Sequence, residues 1–216
     1  NKAFLVFCYE KKEYLLDAEQ FVLTAGEGNE SILNTLKERA PLMQRRPLHM
    51  LMVKHAYPHS FYGHCLGRET IPRLTISSHP CEDSNQVWYL GGSLAEKGVG
   101  LPPETIIKKA KNELRELMPW VNLKNAKWAA LPVERAEPKQ LNFTRPDKAF
   151  AGVTENHSNI IVAWPTKLTL CPNLADEVIS LLDKRNIKKS KSMIPKLYFL
   201  DRPKIAETPW QKVFGG

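Results

Sequence analysis

Hydrophobic and polar positions divide the chain into short extended runs and three longer stretches with helical spacing. Residues 3–9 are apolar and aromatic, a charged cluster Glu10-Lys11-Lys12-Glu13 follows, and Tyr14-Leu15-Leu16 resume, which predicts a hairpin. Phe21-Val22-Leu23-Thr24 is an apolar, β-branched run ending at Ala25-Gly26, the pattern of a buried strand that meets a loop. A helix is predicted over 29–39, with Ile32, Leu33 and Leu36 on one face and Pro41 as its stop. Residues 49–54, 61–67, 73–78 and 87–94 are four strands parted by Pro, Gly, Asn and Asp, and their short connections predict an antiparallel sheet.

Over 103–118 the positions Ile106, Ile107, Ala110, Leu114, Leu117 and Met118 recur at helical spacing, while lysines and glutamates fill the other face. Prolines bound that helix, Pro102-Pro103 at its start and Pro119 at its end. Extended segments follow over 127–134 and 149–153, then the apolar strand Asn159-Ile160-Ile161-Val162-Ala163-Trp164, a turn containing Pro165, and a helix over 172–184. Leu174, Ala175, Val178, Leu181 and Leu182 are its expected inward face. The basic, proline-punctuated tail beyond Lys188 reads as a surface arm. Runs of short strands with separate helices make the fold class α+β. No internal repeat or low-complexity tract interrupts the pattern.

Composition adds bounds. A chain of 216 residues with 43% hydrophobic content fills a sizeable core, as one large domain or two small ones. The formal net charge of +8 favours anionic partners without choosing among phosphate, carboxylate, nucleic acid or acidic lipid. Cys8, Cys65, Cys81 and Cys171 have no C-x-x-C spacing and read as buried free thiols of a reducing, cytoplasmic compartment. No apolar run approaches the roughly 18 residues of a membrane span. The first residue is Asn1, almost directly in a strand, which is the expected start of a piece of a longer chain.

Candidate chemistry is concentrated in two features. A strand feeding a turn that opens a helix aims unpaired backbone N–H groups and the positive helix end at one spot, so 164–168 is a cradle for an anion or cofactor, with Lys167 adding a full charge. Arginines beside prolines recur at Arg45-Arg46-Pro47, Pro72-Arg73, Arg135 near Pro138, and Arg145-Pro146. The planar guanidinium suits carboxylate and phosphate, whereas the alternative for Arg135 is an ion pair with Glu134 or Glu137. Five of the six histidines fall between His49 and His79, yet His64 and Cys65 alternate to opposite sides of one strand, so no metal site is expected. No Gly-x-Ser-x-Gly elbow marks a nucleophile.

In its order of features the chain resembles the later half of the D-amino-acid oxidase and glycerol-3-phosphate dehydrogenase superfamily of FAD-dependent oxidoreductases. Phe21-Val22-Leu23-Thr24-Ala25-Gly26-Glu27-Gly28 resembles the strand of the FAD domain that ends in Ala-Gly. Arg46-Pro47-Leu48-His49-Met50-Leu51 resembles the first strand of the substrate domain, and Val87-Trp88-Tyr89-Leu90-Gly91-Gly92-Ser93 its strand with a Gly-Gly pair. Residues 103–118 correspond to the connecting helix, 131–138 to the strand that bears a substrate-binding arginine, and 159–182 to the closing strand, flavin-contacting turn and helix. Trp164-Pro165-Thr166-Lys167-Leu168 stands where that family has a glycine-rich turn. No Gly-x-Gly-x-x-Gly follows a strand, so the resemblance implies that this pyrophosphate-gripping fingerprint lies upstream of Asn1.

The resemblance therefore implies an α+β chain in which 1–44 is a partial FAD-binding domain and 45–158 a mostly antiparallel substrate-binding domain with flanking helices. Residues 159–187 would be the closing strand and helix of the truncated FAD-binding α/β domain, and 188–216 a basic arm. It implies FAD contacts at Ala25, Gly26, Pro165, Thr166, Lys167 and Leu168, and anchors for a small anionic amine or hydroxy substrate at Arg135, Arg46 and Arg145. The fragment alone is expected to be inactive. A non-catalytic basic module for nucleic acid or a protein partner is the rival reading, supported by the run 184–191. The spread of cations through a chain with full core elements argues against it.

Overall fold

The computed structural model describes residues 2–81, 83, 85–185, 198–202 and 204–215, and the chain forms two compact units. The first comprises Asn1–Arg46 and Arg135–Pro203, the second Pro47–Glu134 and Lys204–Gly216. Most of the basic run 184–191 lies outside the described residues.

In the first unit, β1 (Leu5–Tyr9) and β2 (Lys12–Leu16) pair antiparallel around a two-residue turn. Glu10 and Lys11 both take positive φ there, 48° and 63°, the twist that matches two right-handed strands. A three-stranded sheet has the order β3 (Phe21–Leu23), β10 (Ile160–Trp164), β9 (Phe150–Val153). All five residues of β10 are buried, and this central strand runs parallel to β3 and antiparallel to β9. A strand covered on both faces needs apolar residues without alternation, which is what Ile160-Ile161-Val162-Ala163-Trp164 provides. Helices α1 (Gly28–Thr35) and α4 (Cys171–Asp183) complete the unit, α4 against β9 and β10. Its core joins Ala3, Leu33, Ile160, Val162 and Trp164 with Phe21, Leu23, Met43, Ala136 and Phe150 packed around them.

Polar side chains tie the loops of this unit to its core. Asn159 holds the chain start through both halves of its amide, accepting from Ala3 N–H at 2.8 Å and donating to Ala3 C=O at 2.9 Å. The buried Glu38 carboxylate accepts the backbone N–H groups of Asn156 and His157 and faces His157 Nδ1 at 2.6 Å. Burial alone would raise the Glu38 pKa, but these hydrogen bonds outweigh it and hold the carboxyl below its ordinary value.

The second unit is built on a five-stranded sheet of order β5 (Gly63–Cys65), β6 (Leu74–Pro80), β7 (Gln86–Gly91), β4 (Met43–His55), β8 (Lys127–Pro138). The chain passes between units within β4 and within β8. Side chains alternate between the two faces of the sheet, and along the end of β4 both faces are buried. Leu51, Val53, Leu74, Ile76, Trp88 and Leu90 pack with Ile106, Ala110, Leu114 and Met118 of the segment containing α3 (Pro103–Leu117). Burying such a side chain contributes roughly 1.5–3 kcal/mol, so this stripe dominates the unit's stability. The other face presents Met50, Thr75, Ser77, Tyr89 and His79. Gly92, at φ 80°, makes the turn into the short helix α2 (Ser93–Glu96), and a Cβ there would stand 2.6 Å from Pro72 O.

Several expectations change. The compact units group 135–158 with the closing strand β10, although 135–138 still form the end of β8 in the five-stranded sheet. The tail contains a helix: α5 (Pro209–Phe214) starts at a capping box between Thr208 and Gln211, and Trp210 stacks on His79 at 4.1 Å. No residue of α4 is fully buried, because this helix lies across the sheet as a half-exposed cover. Cys8 in β1 and Cys171 at the start of α4 are exposed, while Cys65 and Cys81 are half-buried. Among the described residues no helix is long and apolar enough to cross a membrane.

Candidate functional site

Strands β3 and β10 are parallel, so their carboxyl ends leave the sheet side by side and their following turns emerge at one edge. In open α/β sheets this edge is where ligands bind, because connecting loops leave a crevice there. The turn after β3 is Thr24-Ala25-Gly26-Glu27, leading into α1, and the turn after β10 is Pro165-Thr166-Lys167-Leu168.

Two buried side chains join the turns. Trp164, the last residue of β10, donates its indole N–H to Gly26 O at 3.1 Å. Asn29, wholly buried in the first turn of α1, accepts Ala25 N–H at 2.9 Å and directs its amide N–H groups to Leu23 O and Ala163 O, each at 3.4 Å. Gly26 itself takes φ 60°, and no heavy atom lies within 4 Å of the position its Cβ would occupy. The backbone is thus open to close approach at Gly26, which any side chain would restrict by strain and by bulk. Thr166 also takes φ 60°, with its hydroxyl bonded to Lys148 O at 3.1 Å. Lys167 lies 3.9 Å from Asp147, and Leu168 is exposed. The helix that follows starts only at Cys171, after a 3-10 turn over Leu168–Leu170.

The sequence did not single out Asn29, and it offered Arg45 as a ligand-binding arginine rather than as a partner of α1. Arg45 reaches Glu27 at 3.3 Å and Glu30 at 2.9 Å, so the acidic first turn of α1 is compensated by a neighbouring strand. Asn29 was visible only as a polar residue at a helix start.

The expected arginine anchors have unequal surroundings. Arg46 grips Glu137 with two hydrogen bonds of 3.1 Å, and Arg135 Nε lies 3.8 Å from the same carboxylate. Glu137 is 1% exposed and also accepts from Gln44 Nε2 at 3.2 Å. Glu137 is thus shared by two guanidiniums, and two of Arg46's N–H groups are committed to it. Arg145 stands exposed in the loop before β9. Among the described residues, no group of three or more His, Cys, Asp or Glu is placed to hold a metal ion.

In the second unit, the polar sheet face carries an open cavity of about 660 Å3 lined by Met50, Tyr62, His64, Thr75, Ser77 and Tyr89. Ser77 lies beside Tyr89 in register and hydrogen-bonds His79 at 3.0 Å.

No family model matches the chain. A probable FAD-dependent oxidoreductase, PA4991 of Pseudomonas aeruginosa, is 44% identical over 209 residues, covering 96% of this chain and 51% of that protein. This chain is similar to one half of that oxidoreductase. The crystal structure of the FAD-dependent oxidoreductase PA4991 superposes with a TM-score of 0.81 at 45% identity, covering 92% of this chain and 54% of that one. The likeness is thus one of sequence and fold together, and the chain spans about half the length of the curated relative it matches.

Proposed function

We propose that this chain is the substrate-side half of an FAD-dependent oxidoreductase of the D-amino-acid oxidase-like kind, contributing two turns to the flavin site. The observation that carries the reading is the Trp164–Gly26 hydrogen bond, which joins two turns already expected from sequence to face FAD. The similarity to PA4991 supports the same cofactor. The residues fit a cofactor that needs close backbone approach: Gly26 is open, Asn29 and Trp164 fix the backbone around it, and Thr166 and Lys167 lie in the turn that follows Trp164. They do not offer a pyrophosphate grip, since Glu27 at the N-cap of α1 and Glu30 in its first turn put carboxylates where a phosphate would sit.

When bound, FAD supplies the two-electron acceptor for oxidation of a C–H bond next to an amine or hydroxyl. The chain's own share is binding and orientation. Ala25, Gly26 and residues 165–168 would lie along the cofactor, and Trp164 and Asn29 would hold both turns in one geometry so that little is lost to ordering when it binds. The substrate would be a small anionic amine or hydroxy compound, an amino acid or a glycerol 3-phosphate-like alcohol. Arg46 makes the closer bonds to Glu137, and the anchors for that substrate would be Arg135 and the exposed Arg145.

The test is the whole protein purified and examined for flavin. It should be yellow and take up FAD when stripped; a colourless protein that takes up none overturns the proposal. Arg135→Ala should raise KM at least tenfold with flavin content unchanged, and an unchanged KM removes Arg135 from the substrate site.

A further inference from the structure

The face of the five-stranded sheet turned away from α3 carries the open hollow of about 660 Å3. Strand pairing fixes which side chains look into it. His64 stands opposite Thr75 and Thr75 opposite Gly91, while Ser77 stands opposite Tyr89. Their neighbours along the strands, Leu74, Ile76, Trp88 and Leu90, lie in the core with the residues of α3, so Thr75, Ser77 and Tyr89 face the other way. At Gly91 a Cβ would stand 2.7 Å from Thr75 Oγ1 and 2.9 Å from Met50 Cε, so glycine there lets the Met50 thioether form the floor. Tyr62 stands 69% exposed at the rim.

Two properties of this wall limit what it can hold. The chain has 31 Lys and Arg and 23 Asp and Glu, yet none of them is among the described residues lining the hollow. An ion entering it would lose hydration without meeting an opposite charge. The wall is also aromatic and polarizable. Tyr89 is half-buried, and burial raises its phenol above the ordinary value, so the hydroxyl stays neutral and can donate. The Ser77 hydroxyl is held by His79 at 3.0 Å. Tyrosine and methionine side chains pack well on flat rings, by offset stacking and by sulfur–aromatic contact. The volume falls within the roughly 300–1,000 Å3 of small-molecule sites.

We propose that this hollow receives the non-reacting end of the substrate, and that this end is an uncharged aromatic ring. The proposal rests on the reading of this sheet as the substrate side of an FAD-dependent oxidoreductase. It selects among the substrates open to that reading: a ring-bearing amine or hydroxy compound whose charge is held elsewhere, rather than a glycerol 3-phosphate-like alcohol, which has no uncharged group of that size.

The test is calorimetric titration of the whole protein, loaded with FAD and again after flavin is removed. The probes are phenylalanine against alanine and mandelate against lactate, all racemic, with glycerol 3-phosphate as the ring-free phosphate. In at least one pair the ring-bearing member should bind about tenfold or more tighter than its partner, and tighter than glycerol 3-phosphate. Ser77→Trp sets a strand-compatible side chain into the hollow, and Tyr89→Ala removes its ring. Each should cut that ratio by about fivefold or more, with folding checked by circular dichroism. Equal affinities within both pairs, tighter binding of glycerol 3-phosphate, or no binding of any probe overturn the proposal, as does a ratio unchanged in a folded Ser77→Trp variant. A protein that takes up no FAD yet keeps a ring preference that Ser77→Trp removes overturns the flavin reading alone and retains the hollow as a ring site.

Discussion

Replacing Asn29 by Ala tests how the two turns are held. The side chain is wholly buried and makes one hydrogen bond of 2.9 Å and two of 3.4 Å. The short bond contributes about 1–1.5 kcal/mol and each long one about 0.5 kcal/mol, and the substitution also strands the Ala163 carbonyl in a buried position. The expected loss is about 3 kcal/mol, roughly two powers of ten in the folded-to-unfolded ratio. Urea unfolding followed by far-ultraviolet circular dichroism measures it, with Ser31→Ala as the control, an exposed hydroxyl on the same helix whose loss should cost under about 0.5 kcal/mol. A loss below about 1 kcal/mol for Asn29→Ala would refute the claim that this amide is the tie.

Three further outcomes follow from the same structure. Below its ordinary value of 6.5 the His55 imidazole is protonated in the unfolded chain, but in the folded chain only near 4. Stability is therefore complete above about pH 7 and falls as pH drops through that window, by up to about 3 kcal/mol, and His55→Phe should flatten this part of the urea-midpoint profile. Glu137→Gln removes the carboxylate shared by Arg46 and Arg135 and should cost about 3–5 kcal/mol, visible as a drop in thermal midpoint, because two partly buried cations lose their partner. Gly92→Ala should cost about 2–3 kcal/mol by denaturant unfolding, since φ 80° is strained for alanine and the added methyl would meet a backbone carbonyl rather than a movable side chain.

Much of the fold was legible because each element answers to a local rule. The α3 stripe, the β10 run and the Glu10-Lys11 turn appear where spacing, burial on two faces and strand twist place them. Both turns expected to face a cofactor lie at the ends of adjacent parallel strands. What escaped depended on long-range pairing. Asn29 reaches across the sheet to Ala163, Arg45 to α1, and Glu137 draws in Arg46 from a segment some ninety positions away. Nothing in the local pattern of these residues distinguishes a buried tie from a solvated side chain. The stacking of Trp210 of α5 on His79 is likewise a long-range pairing.

The claim that Gly26 is where this chain lets a flavin cofactor approach is tested most directly by one titration. The whole protein, stripped of flavin, is titrated with FAD beside its Gly26→Val variant, with binding read from flavin fluorescence and folding checked by circular dichroism. The account predicts tight, stoichiometric uptake by the wild type and at least a thirtyfold weaker affinity in a variant that remains folded. Equal affinity in the two proteins, or no uptake by the wild type, would contradict it.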